Sequence, residues 1–407
     1  MASQSGAQVA LDRPRDALLV GRAEPLTGWL APAREDVVLT GSCGGRPLLL
    51  RRCFHPVMLE RADASGFWGY VFVQEHLDAI RAGRLVVELH GDGRPLATLS
   101  LLVTPSARLL ACEYPLDLGA YEVPRASDAT EPSPVVFPGL GGVGGATVNE
   151  VIRVQMLREG AAVPVHFEAD HRPLWQRIGE AVRSRHRWID GHACHHAGDD
   201  PARARFTLLR EPARRMLSVF DYGRLVHPEA FPFASFDEFV VSRAAWRATQ
   251  AVSLLRCAGI ENADELSPGE IHDRAARELE RAYALVGVTE LFEESLLLLC
   301  RLLGLVSIGM WWRVLAAPRS TVLDELSART RDRLDTLVAV DRALHAQATA
   351  RLRALVDDAG LGDALVRYRA AAAQERALPD LLKQLECLRW RQTLVDAAVR
   401  HGASGDA

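Results

Sequence analysis

The stretch VVFPGLGGVGGATVNEVIRVQM, from Val135 to Met156, constrains the chain most: an apolar strand runs into a glycine-crowded loop and then into an amphipathic helix. Glycines let backbone amides close on an anion, and the following helix turns the positive end of its dipole toward the same point. Thr147 and Glu150 have the spacing of a Thr-x-x-Glu capping box, which predicts a helix beginning at Thr147. Val148, Val151, Ile152 and Met156 recur at helical spacing with Gln155 as the one polar break, while Asn149 and Arg153 fall on the other side. A phosphate cradle fits this pattern. So does a flexible Gly/Pro linker opening a domain, and a second feature has to decide between them.

Upstream, short β-rich runs separated by turns fill residues 17–118, among them DVVLTGS, RPLLLRR, GYVFV, RLVVELH, LATLSLLV and RLLACEY. Gly91-Asp92-Gly93 is a hairpin signal, and Cys43-Gly44-Gly45 is a second candidate. The regular spacing predicts an antiparallel β-sandwich of accessory character. EVPRASDATEPSPV, rich in Pro, Ser and acidic residues, reads as an interdomain linker. Beyond it, helices alternate with apolar strands such as Phe206 to Leu209 and Ala284 to Val288, which argues for a parallel sheet. After about Arg329 nearly everything reads as helical. The expected fold is therefore α/β: a P-loop-like parallel sheet flanked by helices, preceded by a small antiparallel β-sandwich domain and followed by a helical tail. The corresponding boundaries are 1–121, a linker at 122–134, 135–330 and 331–407.

A chain of 407 residues accommodates two such domains. Its net charge of -4 gives no general attraction to nucleic acid or membrane. Lys383 is the only lysine among 48 basic residues, a bias that a high-GC bacterial genome produces without function, so any cation the chemistry needs is an arginine. The seven scattered cysteines lack CxxC spacing, and the N-terminal residues lack the basic and apolar segments of a signal peptide. Both point to a reduced, cytoplasmic setting.

The second feature is RFTLLREPARRMLSVFDY, Arg205 to Tyr222. An apolar strand ends at Arg210, Pro212 opens a helix, and Met216, Leu217 and Phe220 give that helix a buried face. Arg210 then stands at the carboxyl end of a strand, where open α/β sheets bind ligands, with Ser218 about two turns on. An arginine fork and a hydroxyl together grip a phosphate well. A surface arginine beside a solvated serine is the plainer alternative.

These residues resemble the sulfotransferases that use 3′-phosphoadenosine 5′-phosphosulfate (PAPS), in particular the carbohydrate branch that includes heparan sulfate 2-O-sulfotransferases. The family's 3′-phosphate segment reads Leu-Arg-Asp-Pro, then Arg, Ser and aromatics at fixed spacing. This chain has Leu209-Arg210-Glu211-Pro212, Arg215, Ser218, Phe220 and Tyr222. GVTELFEESLLLLCRLLG, from Gly287 to Gly304, and the later VDRALHAQATARL are also similar to family segments, so the resemblance runs over about half of the chain. It implies that Arg210 and Ser218 bind the 3′-phosphate, that PAPS is the co-substrate without a metal, and that the acceptor is a carbohydrate or other small molecule. The tail helices offer a surface for a homo-oligomer.

The resemblance also implies that His192, in WIDGHACHHAG, is the base that deprotonates the acceptor hydroxyl. Asp190 occupies the position of a second histidine in the 2-O branch and is a candidate base or orienter. A structural histidine is the alternative for His192. A zinc site drawn from His186, His192, Cys194, His195 and His196 is too crowded to close without distant help. The family's 5′-phosphosulfate loop, Pro-Lys-Thr-Gly-Gly-Thr-Ser, fits in two registers, one starting at Pro138 and the other at Gly141. The second, preferred because of the capping box, makes Gly141, Gly142, Gly144, Gly145 and Thr147 the loop residues. Neither register supplies the lysine, so either another residue such as Arg153 or Arg215 replaces it, with the extra glycine amides carrying part of the load, or the chain binds nucleotide with little chemistry. A kinase or NTPase would need Gly-Lys-Ser/Thr after the glycines, and that sequence is missing.

Overall fold

The computed structural model describes residues 8–14, 17–19, 23–32, 38–53, 63–76, 82–105, 120–124, 134–159, 165–167, 187–191, 203–226, 231–309 and 322–376, with a few single positions between. The N-terminal part is built from β1 (Gln8–Arg13), β2 (Leu18–Leu19), β3 (Ala23–Ala31), β4 (Leu39–Cys43), β5 (Arg46–Pro47), β6 (Leu49–Cys53), β7 (Ser65–Phe72), β8 (Arg84–Gly91) and β9 (Arg94–Val103). They form two sheets, in the orders β1-β3-β7-β6 and β2-β9-β8-β4-β5. Every pairing is antiparallel except β2 with β9. Alternation along β8 turns Leu85, Val87 and Leu89 inward, where they meet Leu26, Leu50, Phe67 and Val71 of the other sheet in one core.

Both expected hairpins are present, β8 to β9 through Asp92-Gly93 and β4 to β5 through Gly44-Gly45. Strands β1 and β3 were not legible, because Pro25 and Gly28 interrupt the β pattern of AEPLTGWLA. Gly28 is there for packing: a Cβ would come within 2.1 Å of the Ala10 carbonyl oxygen on β1. The run RLLACEY lies outside the described residues.

The second part begins with β10 (Ala120–Glu122) and continues through β11 (Val135–Pro138), α1 (Gly145–Arg158), β12 (Val165–Phe167), β13 (Trp188–Gly191), β14 (Ala204–Leu209), α2 (Pro212–Val226), α3 (Gln250–Cys257), α4 (Pro268–Arg281), β15 (Leu285–Val288), α5 (Phe292–Leu303) and β16 (Ser307–Gly309). Three more helices close it, α6 (Ala328–Leu337), α7 (Ala339–Asp358) and α8 (Gly362–Arg376). Strands β12-β13-β11-β14-β15, in that order, make a wholly parallel sheet. The molecule is thus mixed α/β, with one parallel sheet and separate antiparallel ones. Strands β11, β13 and β15 are buried along their whole length, which explains the unbroken apolar sequences of β11 and β15; in β13 the one charged residue is Asp190. Phe137, Trp188 and Phe206, from the three central strands, pack at tilted angles with centroids 5.0 to 6.3 Å apart. Burial of each such side chain contributes roughly 1.5–3 kcal/mol.

The strand order positions the candidate site. After β11 the chain passes through α1 to the edge strand β12 and returns as β13 beside β11; β14 and β15 then build outward on the opposite side. The crevice between the carboxyl ends of β11 and β14 is therefore the topological switch point, where α/β sheets receive ligands.

Two features differ from the sequence reading. Strand β10 pairs antiparallel with β16, and Val123 lies in the core of the parallel-sheet part, so the chain joins that part before the linker rather than after it. The helices after residue 330 also share this core: Leu344, Leu352 and Val356 of α7 and Leu365 and Tyr368 of α8 pack with the sheet. These apolar residues are used within the chain. The last sequence-predicted helix, near Lys383, lies outside the described residues. Among the described residues no helix is long and apolar enough to cross a membrane.

Candidate functional site

The glycine loop, residues 139–144, leaves β11 at the switch point. Gly142 and Gly144 have φ of 79° and 90°, a region closed to most side chains, so the chain can turn sharply twice before α1. Helix α1 starts at Gly145, two residues earlier than the Thr147 capping box predicted. The positive φ of Gly144 ends the loop there, and the Gly144 carbonyl accepts from Thr147 N at 3.0 Å and Val148 N at 3.3 Å. Thr147 is accordingly a buried residue of the first turn rather than its cap.

Three consecutive loop carbonyls are held from one side. Arg215 Nε donates to Gly141 O at 2.9 Å, Arg210 Nη1 to Gly142 O at 2.7 Å, and Thr289 Oγ1 to Val143 O at 2.6 Å. In a trans peptide the N–H points opposite to the C=O, so the N–H groups of Gly142, Val143 and Gly144 face away from these donors. They sit beside the N-terminus of α1, a combination suited to an anion. Ser218 Oγ lies 3.6 Å from where a Cβ on Gly142 would stand. The sequence-predicted residues Gly141, Gly142, Gly144, Arg210 and Ser218 thus come together at the carboxyl end of the sheet. Gly145 packs on the Phe137 ring and lines the loop less directly.

Arg210 follows the last paired residue of β14, and the Gln250 carboxamide replaces a strand neighbour for it. Gln250 Oε1 accepts from Arg210 N and Gln250 Nε2 donates to Arg210 O, both at 2.8 Å. Arg215 is buried, with its second anchor on the Ala248 carbonyl. Burial pulls its guanidinium down to about 10 and the Arg210 charge pulls in the same direction, while Asp341 opposes them, so it stays cationic at neutral pH. Burial raises the Asp341 carboxyl above its ordinary range, against the hydrogen bonds from the Ala251 and Gln250 amides and the charges of Arg215 and His345.

At the end of β13 the Asp190 carboxylate is completely buried. It accepts from Arg153 Nη2 at 2.7 and 2.9 Å, Asn149 Nδ2 at 3.1 Å and Trp188 Nε1 at 3.0 Å. A carboxylate so enclosed orients the strand end and α1; the proton-accepting role entertained for it does not suit this geometry. Arg153 is directed to Asp190 and Arg215 to carbonyl oxygens, so neither of the two sequence candidates presents its bonded N–H groups to the anion side of the loop. His192, with the neighbouring histidines and Cys194, lies outside the described residues.

Thr289, Gln250, Glu290, Asp341 and His345 were not found from sequence. Only Thr289 carried a signal, since it follows an apolar strand as Arg210 does. The chain matches no protein-family model, and no curated protein is significantly similar to it.

Proposed function

We propose that this chain is a PAPS-dependent sulfotransferase acting on a hydroxyl of a carbohydrate or small metabolite. The observation that carries the reading is the convergence of Gly142, Arg210 and Ser218 at the switch point of a parallel sheet. The glycine loop and α1 would hold the 5′-phosphosulfate, and Arg210 and Ser218 the 3′-phosphate. In the reaction the acceptor oxygen attacks sulfur, the bond from sulfur to the 5′-phosphate oxygen breaks, and the acceptor proton passes to His192. Adenosine 3′,5′-bisphosphate (PAP) leaves with the bridging oxygen. The parallel sheet is read here as P-loop-like, the two N-terminal sheets as a β-sandwich accessory module, and the setting as cytoplasmic.

A second reading is a catalytically weak relative that keeps a nucleotide pocket for binding. The commitment of Arg153 to Asp190 and of Arg215 to loop and helix-end carbonyls favours it, because the family lysine then has no replacement among those arginines. Loss of such a donor typically costs on the order of a hundred- to a thousand-fold in rate.

Calorimetric titration with PAP, for the wild-type chain and Arg210→Ala, tests the common core of both readings. Micromolar binding that weakens at least a hundredfold in the variant supports the phosphate site; unchanged affinity removes it. Transfer from PAPS then separates the two readings. His192→Ala should leave PAP binding intact and slow transfer by about a hundredfold or more.

A further inference from the structure

Helix α7 carries two side chains, Asp341 and His345, that lie four residues apart and so share one helix face. Each starts a separate chain of contacts that ends beside Arg210. In the first, Asp341 Oδ2 and Oδ1 accept from the backbone N–H groups of Gln250 and Ala251 at 2.7 and 2.8 Å, fixing the first turn of α3. That turn carries Gln250, whose carboxamide holds both the N–H and the C=O of Arg210. In the second, His345 Nε2 bonds Glu290 Oε2 at 2.9 Å, and Glu290 Oε1 accepts from the backbone N–H of Glu211 at 3.0 Å.

The two chains therefore reach the peptide groups on either side of the Arg210 Cα. Holding both peptide planes leaves φ and ψ of Arg210 little freedom and sets the direction in which its side chain departs. The guanidinium then reaches Gly142 O across the crevice. We propose that Asp341 and His345 are positioning residues for Arg210, so that α7 preorganises the phosphate-gripping arginine from outside the sheet. This rests on the reading of Arg210 as a phosphate ligand. Preorganisation matters because an unrestrained arginine loses rotamer freedom when it grips a ligand, and a braced one has lost it already.

Amide hydrogen exchange on the full chain without ligand tests the brace directly. Asp341→Asn should speed exchange of the Arg210 amide, and His345→Gln that of the Glu211 amide, each about tenfold or more. The amides of Phe206 to Leu208 within β14 should keep wild-type rates. Unchanged rates at Arg210 and Glu211 overturn the proposal; should Asp341→Asn fail to fold, His345→Gln, at a partly exposed ring, decides alone.

Titration with PAP adds a readout that a merely structural role would not move. Each variant should weaken PAP binding about tenfold in the wild-type background and less than twofold in an Arg210→Lys background, because both substitutions then act on one group. Equal losses in the two backgrounds overturn the proposal. If the wild-type chain binds no PAP, the phosphate reading falls, and the exchange rates still decide whether α7 holds Arg210.

Discussion

Arg215 Nε donates to the carbonyl oxygen of Gly141 at 2.9 Å, so a buried arginine of α2 holds the glycine loop from behind. Its other anchor, Ala248 O, lies just before α3, and one side chain thereby ties three segments together. Replacement by methionine keeps the volume and removes the donors. About 1–3 kcal/mol is expected for each carbonyl left unpaired. Urea unfolding of Arg215→Met should show this loss with an unaltered m-value, and a variant as stable as wild type would contradict the bracing role.

Gly142→Ala tests the loop itself. At φ of 79° a Cβ costs about 1–2 kcal/mol. It would stand 3.4 Å from Val219 Cγ2 and 3.5 Å from Arg215 Cγ, ordinary contact distances, so the cost is in the backbone. PAP affinity should fall at least tenfold in calorimetry, with only a small change in thermal midpoint; full affinity would place the nucleotide elsewhere.

Asp190→Asn discriminates between an orienter and a base. With the carboxylate charge gone, Arg153 loses its ion pair with Asp190 and faces a buried amide instead. The cost should fall toward the low end of the ~3–5 kcal/mol for breaking a buried pair, since Arg153 keeps some exposure. Chemical denaturation should report that loss while PAP binding stays within threefold. Wild-type stability combined with abolished transfer would restore Asp190 as the base.

The Glu290 carboxyl is pushed up by burial, but hydrogen bonds from His345 and from the Glu211 and Glu290 amides outweigh this and hold it below its ordinary range. An acid whose folded value lies lower stabilises the fold above its unfolded value, near 4.3, and loses that contribution as pH falls through the folded one. The stability gap between wild type and Glu290→Gln should therefore be largest near neutrality and shrink below about pH 4. Unfolding curves at a series of pH values check this, and a gap independent of pH would refute the assignment.

Contiguous features were legible in the sequence and distant pairings were not. Strand β11, its loop and α1 lie in one stretch, as do β14, Arg210 and α2, and local periodicity revealed both. The helix start was misplaced by two residues because Thr147 and Glu150 have capping-box spacing, whereas the backbone turn at Gly144 decides where the helix can begin. Gln250 to Asp341 and Glu290 to His345 span 91 and 55 positions, and no local pattern announces them. The amphipathic stripe of α7 showed that something covers it, but not that the covering surface is this chain's own sheet.

The pairing of β10 with β16 moves the seam between the two halves of the molecule. A fragment cut where composition changes, at Val135, would discard Ala120–Glu122 and leave Ser307–Gly309 as an unmated strand, the kind of surface that recruits neighbouring chains. A portable unit for gene fusion therefore has to keep Ala120–Glu122 together with the strand it covers.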